Sequence, residues 1–213
     1  MLPNMNYTVG ASIRNSVDRT FTFILISSVI LLVIVTGLMI YFSIRYGKKR
    51  HPRSSPVKQS LTLEILWTLI PTALVLVMFA YGYYGFQLMR TVPKDAITIK
   101  VTGRMWKWSF DYANGKNTDK LYVPVGKPVK LELRSLDVIH GFYVPAFRIK
   151  EDVVPGKVNY LWFKPEQMGA ANIFCSSYCG QRHAFMLSEV IALSPDQYRE
   201  WYHSKDKVPR GFK

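Results

Sequence analysis

Two hydrophobic rhythms divide the chain. No charged residue lies between Arg19 and Arg45, and none lies between Glu64 and Arg90; each gap holds 25 residues. At about 1.5 Å per residue, a helix of that length crosses the roughly 30 Å hydrocarbon layer of a membrane with some tilt. The runs predict two membrane-spanning helices, over about 20–46 and 62–89. From Ala96 the period falls to two. AITIKVT sets Ile97, Ile99 and Val101 on one face, and WKWSFDY does the same with Trp106, Trp108, Phe110 and Tyr112. Both read as half-buried strands. The Asn114–Gly115 pair that follows predicts a tight hairpin with positive φ at both central positions. Further strands are expected at 121–125, 128–134, 157–163, 170–174 and 187–193, with turns at VPVGKP and VVPGK. Ser194–Pro195 reads as an N-cap with proline at the first helical position, opening a short helix through about His203. Many short strands without intervening amphipathic helices indicate a β-sandwich or barrel. The expected organisation is a membrane anchor over 1–90 and an all-β domain over 91–213.

Charge gives this layout a direction. The connecting segment 47–60 carries Lys48, Lys49, Arg50, Arg53 and Lys58, which by the positive-inside rule makes it cytoplasmic. Both termini and the β domain then lie on the outer, periplasmic side of the cell membrane. A cleaved signal peptide is the competing reading of the first run, but the run is long for that role and no small-x-small site follows it, so it is read as retained. The formal charge of +14 is unaccompanied by any basic-aromatic motif, and nucleic acid is set aside as a partner. Residues 1–90 hold 9 basic and 2 acidic residues, and residues 91–213 hold 19 and 12, so each part is +7. Topology explains the first half of the excess; the second bears on what the outer domain meets.

The chemistry is concentrated in CSSYCGQRHAFM, Cys175 to Met186, which contains the chain's only two cysteines. In an oxidising compartment a disulfide is their default fate. A redox dithiol would more typically be C-x-x-C near a βαβ unit, which is absent. The disulfide leaves unexplained His183 and Met186, which follow at tight spacing, and His140 in the apolar stretch DVIHGFYVP. Thiolate, thioether and imidazole on a β-sandwich are what a copper site of the His₂Cys type with a weak axial Met uses. A structural zinc site would not choose Met. A second thiolate allows two copper ions to be bridged. A membrane-anchored structural domain with a disulfide and no metal remains open.

C-x-x-x-C-x-x-x-H-x-x-M after two apolar helices, with DVIH upstream and the aromatic strand WKWSFDY, resembles subunit II of the haem-copper cytochrome c oxidases across essentially the whole chain. The resemblance implies a cupredoxin-like domain holding a dinuclear copper centre, Cu(A). Cys175 and Cys179 would bridge the coppers, His140 and Met186 would complete one, and His183 and the backbone carbonyl of Ser177 the other. It makes Trp106 the point where electrons from a cytochrome c enter, on their way to a haem in subunit I for reduction of oxygen to water with proton pumping. Subunit III and others are further implied partners. The copper subunit of a nitric oxide reductase is the alternative within the superfamily. LEILWTLIP resembles the family's second helix, which places Glu64 at the mouth of a proton pathway. A carboxylate there also complements the helix dipole, whereas a capping box is ruled out because the residue three before it is Leu61. His51 and His203 read as ordinary polar residues. No C-x-x-C-H motif for a covalently held donor haem is present.

Two departures from the family stand out. Ser177 occupies a position where the family has glutamate, so the magnesium ion that this carboxylate helps hold against subunit I is in doubt. The outer domain is basic where relatives that accept electrons from a basic soluble cytochrome offer an acidic patch. Glu151, Asp152 and Asp137 could form a small one, but Arg148, Lys150 and Arg182 lie close in sequence. The expected donor is therefore acidic, or a membrane-held cytochrome docked by apolar contacts.

Overall fold

The computed structural model describes residues 13–53, 56 and 58–211. It forms two compact units, one of Asp18–Gly85 and one that joins residues 13–17 to residues 86–211.

The first unit holds most of helices α1 (Arg14–Arg45) and α2 (Leu61–Arg90), neither of which buries a side chain. α1 begins ahead of the charge-free run because Asn15 to Asp18 contain no helix breaker, and the Ile13 carbonyl accepts from the amides of Ser16 and Val17. Ser60 starts α2, its hydroxyl accepting from Leu63 N at 3.4 Å. Thr68 and Thr72 turn their hydroxyls back onto the carbonyls of Glu64 (2.9 Å) and Thr68 (2.6 Å), which satisfies them without water. The rings of Phe23 and Tyr81 meet at 5.5 Å.

The second unit is the expected sandwich. Its strands are β1 (Ile97–Arg104), β2 (Lys107–Asp111), β3 (Asn117–Thr118), β4 (Leu121–Pro124), β5 (Val129–Ser135), β6 (His140–Val144), β7 (Ile149–Val153), β8 (Asn159–Phe163), β9 (Gly169–Cys175) and β10 (Leu187–Leu193). They make two five-stranded sheets, ordered β3-β2-β1-β5-β8 and β4-β10-β9-β6-β7. The β1–β5 and β4–β10 pairs are parallel and the others antiparallel. Ile99, Val101, Phe110, Leu131 and Leu133 from the first sheet join Phe142, Ile173 and Leu193 from the second in one core.

Three strands escape the period-two pattern. β6 reads HGFYV and is buried on both faces except at Tyr143, so no polar residue marks alternation. β7 is its hairpin partner at the sheet edge, and the hairpin closes through a 3₁₀ turn at Pro145–Phe147 and a left-handed Arg148 (φ 58) that no glycine announces. β3 is only two residues long. The Asn114–Gly115 turn also differs from expectation: of the two, Gly115 alone has positive φ (84). Tyr112 N donates to Lys116 O, and the Asn114 side chain accepts from Lys116 N at 3.1 Å, so the loop has three residues with glycine at the left-handed position.

Helix α3 (Pro195–His203) closes the domain, with Ser194 and Gln197 forming a reciprocal capping box. Its Trp201 packs against Tyr112 and Tyr122, with ring centroids at 5.0 and 4.9 Å.

Candidate metal centre

Strand register assembles the site. Phe142 stands opposite Cys175 in the β6–β9 pair, and beyond the strand end Ser176 N still donates to Gly141 O at 2.9 Å. His140 at the start of β6 and Cys175 at the end of β9 are thereby held at one end of the same sheet. Cys179, His183 and Met186 come from the loop that leads into β10, His183 opening a 3₁₀ turn over His183–Phe185.

The donor atoms converge. Cys175 Sγ lies 3.7 Å from Cys179 Sγ, 3.8 Å from His140 Nδ1 and 3.2 Å from the Ser177 carbonyl oxygen. Cys179 Sγ lies 3.5 Å from His183 Nδ1 and 3.8 Å from Met186 Sδ. The thiols are free, and the donors of His140, Cys175 and Cys179 lie within 4.8 Å of one another. His140 and Met186 are fully buried, and the cysteines nearly so. Burial, with Cys175 alongside, pushes the Cys179 thiol up to about 11, so this thiol holds its proton until a cation displaces it.

Asp137, read from sequence as surface charge, is part of the site. Its Oδ1 lies 2.8 Å from His140 Nε2 and accepts from Val138 N, while Oδ2 accepts from Met105 N at 2.7 Å. Partial burial opposes ionisation, but these hydrogen bonds outweigh it and hold the carboxyl below the usual range. With Nε2 engaged, Nδ1 is the imidazole atom turned to the sulfurs. Glu151 is likewise committed, paired with Arg90 at 2.7 Å. Of the three acids considered for a docking patch, Asp152 is the one these contacts leave.

Two glycines make room for the site. A Cβ on Gly141 would overlap the Ser176 hydroxyl and crowd Ser177 N at 3.1 Å; one on Gly103 would press on the His140 ring at 3.2 Å. Neither carries a sequence signal, because the pressure comes from residues distant in the chain. Trp106 stands at the solvent side, its Nε1 donating to the Cys179 carbonyl at 3.1 Å, with Gly180 against its ring. Glu64 is exposed on the first turn of α2, and among the described residues its carboxylate meets no partner. His51 accompanies Arg45 at 2.8 Å and His203 sits against Tyr202, as polar surface residues do.

Two thiols, two imidazole Nδ1 atoms, a thioether and a carbonyl form a largely buried, sulfur-rich donor set, enough for two metal ions and suited to copper. Comparison with known proteins agrees in family. The family model described as the periplasmic domain of cytochrome c oxidase subunit II matches residues 114–193, and the one for its transmembrane domain matches residues 3–88. The alternative cytochrome c oxidase subunit 2 of Bradyrhizobium diazoefficiens is 33% identical, over 76% of this chain and 70% of its own length. The chain belongs to the subunit II family of cytochrome c oxidases. A probable subunit 2 from Rickettsia bellii is 25% identical over 93% of this chain and 82% of the relative. Among solved structures, the periplasmic domain of subunit II from Bradyrhizobium japonicum superposes with a TM-score of 0.51 at 33% identity, covering 53% of this chain and 94% of that one. The domain is therefore cupredoxin-like, and the chain is a membrane-anchored subunit of an oxidoreductase complex of the haem-copper type.

Proposed function

We propose that this chain accepts electrons from a cytochrome c at a dinuclear Cu(A) centre and hands them to haem in subunit I, where oxygen is reduced to water with proton pumping. The observation that carries the reading is the pair of free thiols 3.7 Å apart, ringed by the donor atoms of His140, Ser177, His183 and Met186. Cys175 and Cys179 would bridge the ions, His140 and Met186 would complete one and His183 with the Ser177 carbonyl the other. When bound, the copper pair supplies one-electron redox chemistry with the charge shared over both ions. Asp137 fixes the His140 ring through Nε2. The sheet core on one side keeps Met186 and His140 dry, which holds the ligand geometry against water.

Trp106 is where the electron arrives, since its ring is partly exposed and its N–H rests on the Cys179 backbone. Glu64 gives protons a cytoplasmic starting point toward subunit I; an ionisable group at the end of a membrane helix is a functional candidate by default. The copper domain and both termini lie on the periplasmic side, with subunit III and others completing the complex. Ser177 brings a hydroxyl where a magnesium ion would need a carboxylate, and no magnesium is assigned.

Copper titration of the purified full chain in detergent tests this reading. The expected product is a purple protein with two coppers per chain and a mixed-valence EPR signal. A colourless product with its thiols oxidised to a disulfide would refute it. Glu64→Gln in the assembled oxidase is expected to slow turnover and proton uptake with the EPR signal intact.

A further inference from the structure

The surface around Trp106 is basic in a way the free domain does not explain. Trp106 and Met105 form the tip between β1 and β2, and Arg104 and Lys107 face each other across its base. Like charges set directly across a strand pair repel each other. Both side chains are exposed, and among the described residues neither has a partner. Asp137 is committed to His140 and two backbone amides, and Glu189 to Lys120 at 2.8 Å, which leaves Asp119 as the acidic side chain that shares a groove with Arg104 and Lys107. Arg182, also exposed, immediately precedes His183.

Arg104 and Lys107 also line a groove of about 390 Å³ with Thr102, Ser109 and Asn117. Trp108 forms part of its wall; this residue is 3% exposed and its indole N–H has no acceptor. Asp119 is the one acidic side chain on that lining. Large apolar groups are exposed on both segments: Met105 at the tip, Leu136 on the groove wall, and Tyr178 and Phe185 in the loop that carries Arg182 and His183.

We propose that this face docks a donor cytochrome whose haem edge is ringed by carboxylates, one of them seated between Arg104 and Lys107. The inference rests on the reading of Trp106 as the point of electron arrival. A carboxylate placed there offsets the Arg104–Lys107 repulsion and offers an acceptor to the donors of the groove, while the apolar groups meet the uncharged haem edge. The ferrous haem gives up one electron and becomes ferric, and the copper pair that the ligand set would hold would be reduced by that electron; no bond is made or broken.

The intact oxidase is tested with two probes, a basic soluble cytochrome c and the same protein with its lysines succinylated. Dissociation constants are measured with the ferric forms, which do not turn over, across ionic strength, and oxidation rates with the ferrous forms. The succinylated form is expected to bind about tenfold more tightly at low salt, the advantage fading above ~0.5 M. Arg104→Glu with Lys107→Glu reverses the preference, and Arg104→Lys with Lys107→Arg preserves it. Tighter binding of the unmodified basic form, or a preference indifferent to the glutamate substitutions, overturns the proposal. Trp106→Phe reads the electron route separately: slowed oxidation of bound donor supports that route whichever way the charge preference falls.

Discussion

Asp137 Oδ1 lies 2.8 Å from His140 Nε2, while the same carboxylate receives the amides of Met105 and Val138. One side chain thus orients an imidazole and pins the β1–β2 tip. Groups that orient a metal-binding histidine typically govern affinity by 10–100-fold. Asp137→Ala is expected to weaken copper binding by about that factor and to cost about 1–3 kcal/mol of stability, because two amides lose their acceptor. Asp137→Asn should recover part of both. Competition against a calibrated chelator and thermal unfolding measure the two effects.

The two sulfurs are not equivalent to the thioether. Cys175→Ser or Cys179→Ser is expected to abolish the dinuclear EPR signal, since each removes a donor that the proposed pair of ions would share. Met186 is fully buried, and leucine conserves its volume, so Met186→Leu should change stability by less than about 1.5 kcal/mol. Its effect belongs in the reduction potential, read by redox titration, with the metal retained.

Glycine substitutions separate the site from the fold. At Gly141 a Cβ overlaps the Ser176 hydroxyl, so Gly141→Ala is expected to displace the start of the ligand loop and lower copper occupancy. At Gly115 the space is open but φ is 84, and Gly115→Ala should cost about 1 kcal/mol with copper content unchanged. Metal analysis beside melting curves distinguishes the two outcomes.

Burial raises the phenols of Tyr112 and Tyr198 above their ordinary value and pushes Tyr122 up to about 12. An unfolded chain loses these protons near pH 10 while the folded domain keeps them, so above that pH the unfolded state binds fewer protons. Stability is fully present below pH about 10 and falls as pH rises beyond it. Denaturant titrations between pH 8 and 11.5 should show the decline. Tyr112→Phe should make it shallower, while lowering stability at neutral pH because Tyr122 N, which donates to the Tyr112 hydroxyl at 2.7 Å, loses its acceptor.

Strands that bury one face were legible from sequence, as in β1 and β5, where Lys100, Lys130 and Glu132 mark the solvent side. β6 was not, because burial on both faces removes the polar residues that reveal a period of two. The candidate ligand residues could be proposed from family resemblance, yet their distances could not, since His140 reaches Cys175 only through the β6–β9 register. Asp137 and Glu151 looked like spare surface charge. Their partners are a histidine ring three residues on and an arginine 61 residues away, relationships that charge counting cannot see.

The tip between β1 and β2 is tied to the donor cluster twice. Met105 reaches His140 through Asp137, and Trp106 reaches Cys179 through its carbonyl. A force applied at this tip is therefore shared between two strands of the ligand network that otherwise belong to different elements. Under the proposed function, in which a donor docks and leaves between successive electrons, such a brace would hold the tip in place over the ligand loop.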